Sequence, residues 1–292
     1  MKTLVAIFAH PDDESFGIGG TLARYSKQGI STYYLCATRG ESGSVDPEMM
    51  KGFSTVAELR SNELECASRE LGLTAVRYLN YRDSGMLGSE DNRNAASLFA
   101  AATDDVAGRI IGHIEELRPD VVITHDQFGG YGHPDHIKLH QATMRAFELL
   151  YGLRFGANAK GLTAVVGTAG NDAAAHSIPR LYVTAFSRKF LALAVRLLPL
   201  AGQNPHKFGR NKDIDLVQMS SWFVPITATL DVRDYLPYKE RASACHISQR
   251  PPGQRPNLVA RLAFRRAPHL ETFSRIYPPV KRGERGETDL FA

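Results

Sequence analysis

The chain has 292 residues, 43% hydrophobic and 23% charged, which is ordinary globular usage with material for a large core. Its net charge of +4 is small for this length and argues against a nucleic-acid partner, and its three cysteines (Cys36, Cys66, Cys245) are too few and scattered for a disulfide framework and form no CxxC pair. The apolar run at 4–9 passes straight into His10 instead of a cleavage site, and the run at 190–200 contains Arg196 and is too short to span a bilayer, so a cytoplasmic protein without a membrane span is expected.

In chain order, residues 4–8 read as a buried strand, 21–28 as a helix stopped at Gly29, and 32–37 as a second strand. Residues 55–71 carry helical spacing through Val56, Leu59, Leu64, Ala67 and Leu71 and end at Gly72, before a third strand at 76–79. Helical spacing returns at 99–117, Pro119 leads into a fourth strand at 121–124, and a helix spans 136–149. Such alternation predicts an α/β fold: a Rossmann-like, doubly wound, mostly parallel sheet with a smaller C-terminal elaboration. In the common strand order 3-2-1-4-5, strands one and four are neighbours whose connections leave in opposite directions, opening a ligand crevice at their C-terminal ends.

Beyond 153 the pattern weakens. Residues 153–178 are rich in Gly, Ala and Asn and are expected to form a mobile insertion, followed by a strand at 180–186, an apolar helix at 189–198, a last strand at 226–232 and a helix at 235–245. Residues 1–250 then form the domain, and 251–292 a basic, Pro-containing extension whose Arg261, Arg265 and Arg266 suit either an anionic group or a solvated charged helix.

One tripeptide occurs twice, as His10-Pro11-Asp12-Asp13 after strand one and as His133-Pro134-Asp135-His136 after strand four, so both copies fall at the lip of the predicted crevice. Each places two potential ligands three residues apart on a turn stiffened by Pro. A catalytic zinc site takes three protein ligands and leaves a position for water, and His10, Asp13 and His136 supply three of the right kind; iron(II) accepts the same donors. Asp12, beside a ligand but pointing elsewhere, suits a general base. His133 suits a cationic partner for a developing oxyanion, and Asp135 an orienting group for an imidazole. Gly17, Gly19 and Gly20 follow an acidic pair that would repel a phosphate, so they are read as helix-to-sheet packing positions.

Residues 9–14 with Gly19-Gly20-Thr21, joined to residues 132–136, resemble the LmbE-like (PIG-L) N-deacetylases. The likeness continues through residues 38–41, Arg60, Glu63, Ala67, Leu71 and Gly72, the loop 83–86, and Lys239, Ala242, His246, Ser248 and Gln249, and is nearest to the mycothiol-pathway deacetylases. The resemblance implies a zinc enzyme that removes the acetyl group from a small N-acetylglucosamine-type conjugate. It carries the ligand role to His10, Asp13 and His136, the base to Asp12 and the oxyanion-side imidazole to His133. By the same likeness Tyr131 helps hold substrate or oxyanion, and Arg60, Asp83 and Glu41 contact the substrate. Read by type alone, Arg60 with Glu63 also suits a solvated i, i+3 helix pair, Asp83 with Gly85 a turn, and Tyr131 loop packing. Cleavage of a thiol-conjugate amide, or a catalytically silent sugar- or nucleotide-binding module on the same fold, are the alternatives.

Overall fold

The computed structural model describes residues 1–157, 163–168, 178–209, 212–250 and 269–292. Strand β1 (Thr3–Phe8) is followed by a one-turn α1 (Asp13–Phe16), helix α2 (Gly19–Lys27) and β2 (Ser31–Cys36). Helix α3 (Val56–Leu71) opens on Thr55, whose hydroxyl accepts from Glu58 N, and stops at Gly72 in the left-handed conformation. Next come β3 (Ala75–Tyr78), α4 (Thr103–Leu117), β4 (Val121–Thr124), a kinked turn α5 (Gly129–Gly132) and α6 (Pro134–Tyr151), which has His133 as its N-cap and Pro134 in its first turn. The chain continues through β5 (Leu153–Ala157), β6 (Thr163–Thr168), β7 (Arg180–Thr184), α7 (Arg188–Leu197), α8 (Leu216–Ser221), β8 (Ala228–Asp231), α9 (Leu236–Cys245) and β9 (Leu270–Tyr277).

Seven strands form one sheet in the order β3-β2-β1-β4-β7-β9-β8. The first five are parallel and reproduce the expected doubly wound order, while β9 runs antiparallel to both its neighbours. Because side chains alternate along a strand, β1 feeds two cores. Val5 and Ile7 pack with Ile110 of α4 and Leu139 and Phe147 of α6. Leu4, Ala6 and Phe8 pack with Leu22 of α2, Leu64 of α3 and Ala242 of α9. Both faces being covered explains why β1 and β4 read as continuous apolar runs.

Three expectations are corrected. The stretch expected to be a mobile insertion carries an antiparallel ribbon, β5 with β6; its remaining residues 158–162 and 169–177 lie outside the described ones. Residues 251–292, expected to be an extension, supply β9 to the interior of the sheet, whereas Arg261, Arg265 and Arg266 lie outside the described residues. Strand β9 escapes an apolar-pattern search because it buries Glu271 and Arg275. Each is neutralised by partners, as buried charge requires. Glu271 accepts from Gly20 N (3.0 Å), Thr21 N (2.7 Å) and Lys239 Nζ (2.6 Å), and Arg275 pairs with Glu284 and Glu287. Third, Cys66 of α3 and Cys245 of α9 form a disulfide across 179 residues of sequence, brought together by the packing of the two helices.

The packing role expected of the glycines is visible at Gly20, where a Cβ would lie 2.6 Å from Val232 Cγ2. Among the described residues no helix is long and apolar enough to cross a membrane.

Candidate active site

The direction of strand connection reverses between β1 and β4, and the site is built where their C-terminal ends meet. His10 leaves β1 two residues past its end, and the next turn is held by Asp13 Oδ2 accepting from His10 N at 2.9 Å. His136 enters from the first turn of α6. Its Nδ1 donates to Gly129 O (3.2 Å), which leaves Nε2 bare and facing the crevice.

Three acceptor atoms converge there. His10 Nδ1 lies 3.1 Å from His136 Nε2 and 3.7 Å from Asp13 Oδ2, and the latter two are 3.5 Å apart. Zinc bonds of about 2.0–2.1 Å at tetrahedral angles place neighbouring donors roughly 3.4 Å apart, so these three atoms fit one divalent cation. On the far side of its ring, His10 Nε2 points to Asp135 Oδ2 (3.3 Å) and Asp83 Oδ1 (3.4 Å), the carboxylate backing that fixes the tautomer of a ligating imidazole. Burial works against the Asp13 charge, but His136, His125 and His10 together hold its carboxyl well below the usual range. Burial and neighbouring His125 push the His136 imidazole down, into its neutral, ligating form.

Asp12 sits beside this cluster with a backbone φ of 125°, rare for a residue with a Cβ. Burial lifts its carboxyl to about 6 against the pull of Arg60. The guanidinium of Arg60 lies 3.0 Å from Asp12 Oδ2 and also donates to Pro11 O and Gly40 O, and Arg60 is 3% exposed. Gly40 has a φ of 71°, and a Cβ there would overlap the guanidinium. Arg60, expected to contact the substrate, lies buried in the structure against Asp12.

His133 departs from the cationic role expected of it. Its Nδ1 accepts from Asp135 N (3.2 Å), and burial above all lowers its pKa to about 4, so it is a neutral imidazole with its proton on Nε2. The Tyr131 ring packs edge-on against His133 (5.9 Å between centroids) and His136 (5.2 Å). Asp135 is fully buried and accepts from Ser84 N (3.0 Å), so it supports His10 from behind and does not face the crevice. Asp83 accepts from Gly85 N (2.8 Å), and Glu41 accepts from Asp83 N (3.0 Å), which joins both to the same backing.

Sequence reasoning missed His125. It follows β4 directly, as His10 follows β1 one residue later, and its position on the neighbouring strand is the signal that could have found it. It stacks on His136 (3.8 Å, 14°) with Nε2 3.6 Å from Asp13 Oδ2, but that nitrogen already accepts from Ala9 N at 3.2 Å. His125 therefore walls the site and braces β1, while His10, Asp13 and His136 keep free lone pairs. The buried Glu14 was also passed over.

The profile of the PIG-L family, described as GlcNAc-PI de-N-acetylase, matches residues 5–147. A 1D-myo-inositol 2-acetamido-2-deoxy-alpha-D-glucopyranoside deacetylase from Acidothermus cellulolyticus is 31% identical over an alignment covering 100% of this chain and 95% of that protein. The chain belongs to the PIG-L family. A PIG-L relative of the same name from Streptomyces avermitilis is 41% identical over 157 residues, an alignment that spans about half of each protein, 51% of this chain and 53% of that one. The N,N'-diacetylchitobiose deacetylase from Pyrococcus horikoshii shares the fold, with a TM-score of 0.56 and 19% identity over 94% of this chain and 83% of its own.

Proposed function

We propose that this PIG-L member hydrolyses the N-acetyl group of a small N-acetylglucosamine-type conjugate, with His10, Asp13 and His136 as ligands of a divalent metal and Asp12 as general base. The observation that carries this is the convergence of three donor atoms, 3.1–3.7 Å apart, beside a carboxyl whose pKa stands near 6. The Acidothermus cellulolyticus and Streptomyces avermitilis relatives act, by their names, on an acetamido sugar joined to inositol.

Zinc held there supplies Lewis acidity for the amide carbonyl and acidifies water. The chain's own groups do the rest. Asp12 Oδ2 is engaged by Arg60, and Oδ1 takes the proton of the attacking water. A base whose pKa lies close to the working pH is both largely ionised and a competent acceptor, which suits it to hand that proton on to the departing amine nitrogen. His133 Nε2–H donates to the oxyanion, and because the imidazole is already neutral and fixed by its Nδ1 bond, no reorganisation is needed as charge develops. Tyr131, beside His133, supplies its hydroxyl to the same oxyanion or to the sugar, whose other contacts fall to the Asp83 and Glu41 loops.

The test is acetate release from a panel of N-acetylglucosaminyl conjugates with zinc or iron(II) added. Asp12→Ala should retain one metal per chain and lose at least ~100-fold in kcat. His136→Ala should lose the metal itself. A fully active Asp12→Ala enzyme, or a His136→Ala enzyme that keeps its metal through chelation, contradicts the assignment.

A further inference from the structure

Two buried ionisable side chains lie against the site and are used by none of the steps above: Glu14 and His246, both 0% exposed. The bond between them is short, with His246 Nε2 donating to Glu14 Oε1 at 2.6 Å. Ser15 Oγ donates to the same oxygen, also at 2.6 Å. The other carboxylate oxygen, Oε2, accepts the backbone N–H of Asp12 at 2.9 Å. Glu14 is thus a clasp with one arm on the backbone of the proposed base and the other on a residue 232 positions away.

Asp12 needs such a clasp. Its φ of 125° is a conformation that a residue bearing a Cβ keeps only when its surroundings over-determine it. The carboxylate direction follows from that backbone angle, so a relaxation to ordinary φ would swing Asp12 away from the ligand cluster. Asp12 O is bonded to Ser15 N and Phe16 N at 3.0 and 2.9 Å, which holds the C-terminal side of the peptide. On the N-terminal side the bond to Glu14 does the holding.

The far end is anchored more firmly than a lone buried histidine requires. Cys245, immediately before His246, is disulfide-bonded to Cys66 of α3, and Ser248, two residues after it, donates through both N and Oγ to Glu63 of α3, each at 2.7 Å. Phe16 packs edge-on against the His246 ring at 5.9 Å. The segment from Cys245 to Ser248 is therefore pinned to α3 on both sides of the one residue that reaches Glu14.

We propose that Glu14 and His246 are positioning residues that fix the direction of the Asp12 carboxylate through its backbone, with the Cys66–Cys245 bridge and the Ser248–Glu63 bonds holding His246 in place. The proposal rests on Asp12 being the general base.

The experiment uses full-length, metal-loaded enzyme and compares His246→Leu, His246→Gln and Glu14→Gln, each alone and combined with Asp12→Ala. Misplacing a catalytic group by about 1 Å costs on the order of 100-fold, so His246→Leu should lower kcat roughly tenfold to a hundredfold with KM within about twofold and metal content unchanged. His246→Gln places an N–H near the position of Nε2 and should recover most of the rate. In the Asp12→Ala background none of the three should cost anything further, because the group they position is gone; a role confined to folding would cost the same in both backgrounds. Wild-type kcat in His246→Leu, a Gln variant as slow as the Leu variant though folded and metal-loaded, or equal losses in both backgrounds overturns the proposal. Should the Leu variant fail to show a cooperative thermal transition, Glu14→Gln, which preserves volume, carries the same comparison. Failure of the parent assignment is separately visible, since Asp12→Ala alone would then be active, and it takes this proposal with it.

Discussion

Replacing Arg60 by Met removes a buried charge while keeping much of its bulk, and its effect can be worked from the contact it makes. The guanidinium stands 3.0 Å from Asp12 Oδ2, and the two side chains are 4% and 18% exposed. Unit charges about 4 Å apart at an effective dielectric near 20 attract by roughly 4 kcal/mol, and a carboxyl beside an arginine is typically lowered by about 1–3 pKa units. The Asp12 carboxyl, at about 6 with Arg60 present, should therefore rise when Arg60 is lost. As the proposed base Asp12 would work ionised, so activity should fall as pH drops through its pKa, and a raised pKa should move that loss to higher pH. For a rise of about two units, the ionised fraction at pH 7 drops from roughly nine-tenths to one-tenth, a loss of about tenfold in kcat that returns near pH 9. A bound metal lowers the carboxyl in both proteins, so the quantity to read is the displacement of the acidic limb between them. The assay is kcat against pH from about 5 to 9 for wild type, Arg60→Met and Arg60→Lys, the last keeping the charge and shifting least. An unmoved limb with a raised KM would refute the reasoning and return Arg60 to the substrate contact that the family resemblance implies.

Three further outcomes are expected. Asp135→Ala removes the carboxylate behind His10 Nε2 and should weaken metal binding by about 10–100-fold, measured by competition with a chelator; unchanged affinity would show that His10 is oriented otherwise. Opening the Cys66–Cys245 bridge, which spans 179 residues, releases loop entropy worth at most about 5 kcal/mol, so urea unfolding with and without a phosphine reductant should differ in midpoint, and coincident curves would contradict a formed bridge. Truncation after residue 269 removes β9 from between β7 and β8 and strips Lys239 and the start of α2 of Glu271; that protein should show no cooperative thermal transition, and one that melts like the full chain would make the C-terminal residues a true extension.

What was legible in the sequence and what was not divide by how far apart partners lie along the chain. Strands β1 and β4 were readable because strands covered on both faces of a parallel sheet write themselves as apolar runs, and α3 between them because it stops at a glycine, Gly72. The placement of His10, Asp13 and His136 was readable because each motif is one local turn at a strand end, and the strand order brings the turns together. Strand β9 was not, since Glu271 and Arg275 break its apolar pattern and are made tolerable only by Lys239, Glu284 and Glu287. The same holds at the site. Spacing along α3 puts Arg60 on a face but does not tell whether its guanidinium turns outward or onto Asp12, because the choice is made by Gly40, on the loop after β2, whose missing side chain leaves room for it. Cys66 pairs with Cys245, and Glu14 with His246, through contacts of α9 with α3 and α1 that no local pattern encodes. The proposed metal donors are thus carried by local turns at the ends of strands that sequence periodicity places side by side, whereas the groups that contact Asp12, Arg60 through its side chain and Glu14 through its backbone, are held by tertiary packing, and only a structure brings them into view.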